Sequence, residues 1–201
     1  MRKFLSLFSC WLLLSGSISQ APPAAFPDVP VITENSVGKA RIGMSSQRLK
    51  AAYKGCTFGK QNMQAFGWEN GGGLHTALCV RFNGVPLFIA AITEGRIGAL
   101  VVVNSRYRTA KGIHIGSTAA DLKQAEQTAE VCRDKKRPDL QMANAVHEAE
   151  GGEALSYCFK NAAALGQKEM ANNAPTSLFL PLLPLAAPIS WITVFDISLD
   201  I

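Results

Sequence analysis

The sequence predicts an α+β fold in which two pseudo-repeated strand–helix–antiparallel meander units form one domain. Three observations predict it. The stretches "GKARIGMSSQRLKAA" (38–52) and "GIHIGSTAADLKQA" (112–125) align with Ile42 on Ile115, Gly43 on Gly116, Leu49 on Leu122 and Lys50 on Lys123, always 73 residues apart. A cysteine follows each of these helical stretches (Cys56, Cys132) and another lies on a later strand (Cys79, Cys158), at separations of 76 and 79 as loop insertions would produce. After each helix come apolar runs broken by glycine turns, the pattern of hairpin-connected strands.

The elements follow in order. Arg2 and Lys3 precede the apolar run Phe4 to Leu14, and Ser17 and Ser19 occupy the −3 and −1 positions of a cleavage site. This is the pattern of a secretory signal peptide over residues 1–19, with an apolar run too short to span a bilayer. Cys10 lies inside that leader with "WLLL" directly after it, so it is not read as a lipid anchor. Residues 20–36 form a proline-rich linker, opening "QAPPAAFPDVP", with order beginning over Val31 to Ile42.

The first unit covers 37–104. Gly43 permits a sharp exit from a short strand, and Ser45 or Ser46 can accept from the orphan N–H groups of a helix. Leu49, Ala52 and Tyr53 share its inner face. Three strands are expected near Thr76–Phe82, Val85–Ile92 and Ile97–Asn104. Asn83-Gly84 carries the turn between the first two, since a type I′ turn needs positive φ at both central positions. "IGALVVV" is apolar on both faces and reads as a central strand. Pro86 suggests a free edge near the start of the second strand.

The second unit covers 105–201. Thr118 and Asp121 make a capping box, and Leu122, Ala125 and Ala129 form the helix's apolar face. "ISWITVFDISLDI" supplies a last strand, the counterpart of "RIGALVVV". A Pro/Leu-rich insertion at 170–188 has no counterpart in the first unit. Ser177 to Phe195 carries no charge, but Pro181, Pro184 and Pro188 break any membrane helix there. Leu178, Phe179, Leu180, Leu182, Leu183 and Leu185 either cover an open end of the core or form an apolar contact patch.

The leader takes two of the 20 basic residues and none of the 15 acids, leaving a net charge of +3. Only "RDKKR" (133–137) is a local basic run, and it reads as a solvated loop, so a nucleic-acid partner is not expected. The four cysteines outside the leader, Cys56, Cys79, Cys132 and Cys158, are expected as structural disulfides of an exported chain. Sequence alone permits three pairings, and the duplication favours Cys56–Cys79 with Cys132–Cys158.

No reaction motif is present. His147-Glu148 is followed by "AEGG", so HExxH is incomplete, and neither a Walker loop, a GxGxxG nor a GxSxG occurs. His75, His114 and His147 are scattered, so a hydrolase is the weakest reading. No catalytic residue, cofactor or metal site is expected. The connector "NSRYRTAKG" places Arg106, Tyr107, Arg108 and Lys111 together, where cations and an aromatic could hold a carboxylate or phosphate.

The run "GVPLFIAA…GRIGALVVVNSRYRTAKGIHIGSTAADL…C…EAEGGEALSYCF", within Val37 to Phe159, resembles the RpoE-regulated lipoprotein family of bacterial envelopes, a domain of unknown function. The shared features are the glycine-led meander, the G-[IV]-x-[IV]-G-[ST] turn with its helix, a cysteine, an acidic–glycine hairpin and an S-Y-x-F strand. The turn Ile42 to Ser45 is also similar to the I-G-M-[ST] turn of a small outer-membrane assembly lipoprotein. The family resemblance implies an envelope location and supplies no catalytic residues; this chain departs from the family in lacking a lipobox. The expectation is an exported, non-enzymatic protein, periplasmic or outer-membrane-associated, that binds another envelope protein or a membrane surface. Its competitor is a small-ligand or inhibitory module with a cleft between the repeats.

Overall fold

The computed structural model describes residues 26–66, 76–125, 130–133, 143–148, 153–159 and 185–196. The described residues form a sheet-rich α+β fold with two seven-residue α-helices, α1 (Ser46–Ala52) and α2 (Ala119–Ala125). Three short strands precede α1: β1 (Val31–Thr33), β2 (Ser36–Val37) and β3 (Ala40–Arg41). After α1 come β4 (Thr57–Gln61), β5 (Thr76–Phe82), β6 (Val85–Thr93) and β7 (Arg96–Val102). The two-residue β8 (Arg108–Thr109) leads to α2. Then follow β9 (Glu130–Arg133), β10 (Ala143–Glu148), β11 (Glu153–Phe159) and β12 (Trp191–Asp196).

Turn chemistry fixes the meander. Asn83 and Gly84 both have positive φ, 50° and 78°, as a two-residue hairpin of this hand requires. Glu94 and Gly95 repeat that geometry at 51° and 79° between β6 and β7. β4 to β7 are therefore sequential antiparallel neighbours. β9 to β12 are sequential neighbours too, and β7 pairs antiparallel with β12, so the sheet runs β4-β5-β6-β7-β12-β11-β10-β9. "IGALVVV" is thus central, as its two-sided apolarity dictates. Pro86 sits near the start of β6, where the ladder to β7 has not begun: β7 pairs with β6 from Phe88 onward, and the register with β5 shifts at Val80/Arg81.

One face of this sheet carries Val80, Phe88, Leu100, Val102, Leu155, Tyr157, Ile192 and Val194. Leu49 and Tyr53 of the α1 region, Leu122 of α2, and Ile32, Val37 and Ala40 of the small sheet pack into the same cluster. Each of the larger side chains contributes about 1.5–3 kcal/mol by leaving water. The opposite face holds a second cluster with Cys79, Ile89, Val101, Cys158 and Trp191, where Phe66 meets Trp191 edge-on at 5.4 Å.

The glycine turns dock in matching ways. The Gly43 N–H donates to Ile97 O at 2.7 Å and the Ile97 N–H to Met44 O at 2.9 Å. The Gly116 N–H donates to Ile189 O at 2.9 Å and the Ile189 N–H to Ser117 O at 2.8 Å. Isolated bridges join Ser45 to Arg96 and Thr118 to Pro188. Each helix start is thereby stitched to the chain entering a central strand.

Order begins at Val31 as expected, and residues 31–36, the end of the proline-rich linker, help build the small sheet β3-β2-β1-β8, in which β1 runs parallel to β8. Strands of two or three residues are too short for an alternating pattern to register.

Candidate functional site

The connector 104–113 is held rigidly. Asn104 Oδ1 accepts from the Arg106 N–H at 3.0 Å, and the Tyr107 N–H donates to Asn104 O at 3.3 Å. The Arg108 N–H donates to Pro30 O at 2.9 Å within the β1–β8 ladder. Thr109 closes the loop by donating to Ile113 O and accepting the Ile113 N–H on its hydroxyl. Arg106, Arg108 and Lys111 remain exposed on this frame. The Arg106 guanidinium lies 5.2 Å from the centre of the Phe26 ring, a cation–π contact.

Tyr107 does not join the cations on the surface. It is fully buried, edge-on to Phe26 and Phe88. Its hydroxyl donates to Asp28 Oδ2 at 3.3 Å, and the Tyr53 hydroxyl donates to the same oxygen. The Lys39 N–H also donates there, at 3.1 Å, and the Val29 N–H donates to Oδ1 at 2.8 Å. One carboxylate thus ties the arm 26–30 to α1 and the connector. Burial pushes both phenols far above the ordinary tyrosine range. The hydrogen bond to Asp28 adds to the rise for Tyr53, and the Asp28 charge adds to it for Tyr107. A β-carbon at Gly38 would collide with the Asp28 carboxylate, so glycine is required there by space as well as by its φ of +58°.

Leu185 is 56% exposed, and its carbonyl accepts from the Ala120 N–H at 3.0 Å while Ala187 O accepts from Ala119 at 2.9 Å. The end of the Pro/Leu-rich segment therefore supplies acceptors for the α2 N-terminus. Leu178, Phe179, Leu180, Leu182 and Leu183 lie outside the described residues. The Thr118 N–H and hydroxyl both donate to Asp121 Oδ2 at 2.8 Å and hold that carboxyl below its usual range.

The favoured Cys56–Cys79 bridge is not formed: both are free thiols. Cys79 faces the second cluster whereas Cys56 packs against the first, so the sheet separates them. Cys132 and Cys158 both register with Asn144 from opposite sides, which puts two strand spacings, about 10 Å, between their backbones, too far for a disulfide. Burial raises the pKa of Cys56 and of Cys79 and keeps both poor nucleophiles.

His114 is half-buried with Nδ1 2.7 Å from Ile115 O. His75 and the His147 side chain lie outside the described residues. Among the described residues no group of three His, Cys, Asp or Glu could hold a metal. No described helix is long and apolar enough to cross a membrane.

A surface depression of ≈ 370 Å³ opens at the β5–β6 hairpin, against Arg81, Ile89, Val103 and Phe66. It lies within the first half of the sheet. Where the two halves of the sheet meet, β7 and β12 are hydrogen-bonded neighbours. Sequence reading missed both this feature and Asp28. Arg81, a lone cation on a strand otherwise built of apolar and small residues, was the available signal for the first; "FPD" within the proline-rich arm was the signal for the second.

No family model matches the chain, and no curated protein is similar to it in sequence. In three dimensions it is similar to the uncharacterized protein YfeY from Escherichia coli, with a TM-score of 0.50 and 17% identity over 82% of this chain and 98% of that one. At that identity the likeness is one of fold.

Proposed function

We propose that this chain is a non-enzymatic protein of the bacterial envelope, allied to the RpoE-regulated lipoproteins, that works by binding another envelope component through an anionic surface on that partner. The fold shared with YfeY supports a bacterial alliance, and the turn, hairpin and strand motifs within Val37 to Phe159 support the family and its envelope location. The paired turn contacts support a duplicated scaffold, with Gly43–Ile97 answering Gly116–Ile189 and Ser45–Arg96 answering Thr118–Pro188.

The observation that carries the binding reading is the connector. Three exposed cations fall within six residues on a backbone locked by the β1–β8 ladder and by Asp28. Neither the Arg106 nor the Arg108 side chain is paired with a described carboxylate. A pre-ordered cationic surface meets an acidic partner without a further ordering cost. Leu185 is a second contact.

Photo-crosslinking in intact cells tests this. A crosslinker at position 106, 108 or 185 should capture one envelope component. The combined Arg106→Ala, Arg108→Ala and Lys111→Ala variant should lower capture from position 185 by about tenfold, as loss of several rim charges does. Uniform capture of many unrelated proteins, or capture indifferent to the triple substitution, overturns the reading.

A further inference from the structure

We propose that the depression at the β5–β6 hairpin is a binding site for a small amphiphile carrying a single carboxylate, with Arg81 holding the head group and the sheet holding the apolar body. Its placement follows from local structure. Arg81 shares a sheet face with Cys79 by strand alternation, and the register shift at Val80/Arg81 sets it opposite Pro86. Bulges of this kind re-aim side chains at the ends of strands. Asn104 fixes the rim: its Nδ2 donates to Pro86 O at 2.9 Å, and the Val103 N–H donates to Leu87 O at 3.3 Å. The floor is buried Ile89 and Cys79, flanked by half-buried Val103 and Phe66.

Three features select the ligand class. Arg81 is half-buried and carries the one formal charge among the described lining residues. Its guanidinium has no described hydrogen-bond or ion-pair partner, which leaves a planar fork of donors suited to a carboxylate. The remaining lining is mainly apolar, and ≈ 370 Å³ falls at the small end of the ligand-pocket range. A free inorganic phosphate would leave that apolar floor unused and would meet a single cation. A neutral hydrocarbon would leave Arg81 desolvated without a partner, which costs affinity. A monoanion with an aliphatic or aryl body satisfies both.

Asn104 borders both the site and the connector, but the charges differ, Arg81 here and Arg106, Arg108 and Lys111 there, so the Arg81 variants test this site separately from the envelope-partner reading. The test is an NMR titration of the full chain, ¹⁵N-labelled, with octanoate, octanol and octylammonium as probes. Octanoate should give saturable shifts concentrated at Arg81, Val85, Ile89 and Val103, and should bind more tightly than either other probe. Arg81→Gln should weaken octanoate binding by about tenfold and leave octanol binding within about twofold, since the substitution removes the charge-assisted pair alone. Arg81→Lys, which keeps the charge and loses the fork, should fall between the two and gives the reading if the glutamine variant does not fold. The proposal is overturned by equal binding of octanoate and octylammonium, or by octanoate affinity indifferent to both Arg81 variants. Absence of a saturable octanoate shift at this hairpin overturns it as well.

Discussion

Asp28 gathers four donors: the backbone N–H groups of Val29 and Lys39 and the hydroxyls of Tyr53 and Tyr107. The two phenols do not depend on it equally. The Tyr53 hydroxyl also reaches Val37 O at 3.2 Å, whereas the Tyr107 hydroxyl has only Asp28 and the Tyr53 hydroxyl as described partners. Asp28→Ala should therefore cost about 2 kcal/mol, chiefly through the Tyr107 hydroxyl, since the Lys39 N–H keeps the Tyr53 hydroxyl as acceptor at 3.1 Å, and it should read as a shift in urea midpoint at constant slope. Gly38→Ala strains a left-handed backbone and drives a methyl into the same carboxylate, so its cost should match or exceed that of Asp28→Ala. Because both substitutions break one contact, the double variant should lose clearly less than the two singles added together. Strict additivity would mean that the arm is not held by this carboxylate. The tyrosines also set a pH limit. Their folded pKa values are raised, so the stability they contribute is fully present below the unfolded tyrosine value of about 10 and is lost as pH climbs above it toward the folded values. The melting temperature should fall above pH 10, and less steeply in the Tyr53→Phe/Tyr107→Phe variant; equal slopes would place the alkaline limit elsewhere.

The two helices are of equal length but unequally capped. Ser45 Oγ accepts from the Arg48 N–H at 3.3 Å. Thr118 accepts from the Asp121 N–H at 3.2 Å while Asp121 accepts from both the N–H and the hydroxyl of Thr118 at 2.8 Å. Thr118→Ala should cost about 1 kcal/mol and Ser45→Ala about half of that, read by chemical denaturation. These caps were legible in the sequence because a cap is a rule over four consecutive residues. The same holds for Asn83-Gly84, whose turn follows from two adjacent φ preferences, and for β7, whose unbroken apolar run has only one stable place in a sheet. Legibility stops where an element is too short or its partner too distant. β1, β2 and β8 hold two or three residues each, so no periodicity distinguishes them from linker. The favoured Cys56–Cys79 pairing failed for a related reason: matched cysteine spacings report matched chain lengths, whereas bridging depends on which sheet face each thiol meets. The Arg81 depression depends on a one-residue register shift, which no local pattern announces.

At the scale of the molecule, the two halves are joined at two separate places, and that determines whether either can stand alone. β7 pairs with β12 over four residues, from Ile192↔Val102 to Phe195↔Ala99, and the joint is flanked on its inner face by Leu100, Val102, Ile192 and Val194, all fully buried. On the other side of the core, β1 near the start of the first half pairs with β8, which belongs to the connector into the second half. Residues 20–104 alone would keep Leu49, Tyr53 and Phe88 but would expose the β7 edge and lose Tyr107 from beneath Phe26 and Asp28. An uncovered apolar interior strand with a free edge is an aggregation surface, not a stable boundary. The isolated first half should therefore give a collapsed or self-associated species without dispersed amide resonances, and adding residues 105–201 in trans should restore the dispersion of the full chain. A monomeric, well-dispersed first half would show that each unit folds on its own local contacts and that the β7–β12 and β1–β8 joints are later embellishments of two autonomous modules.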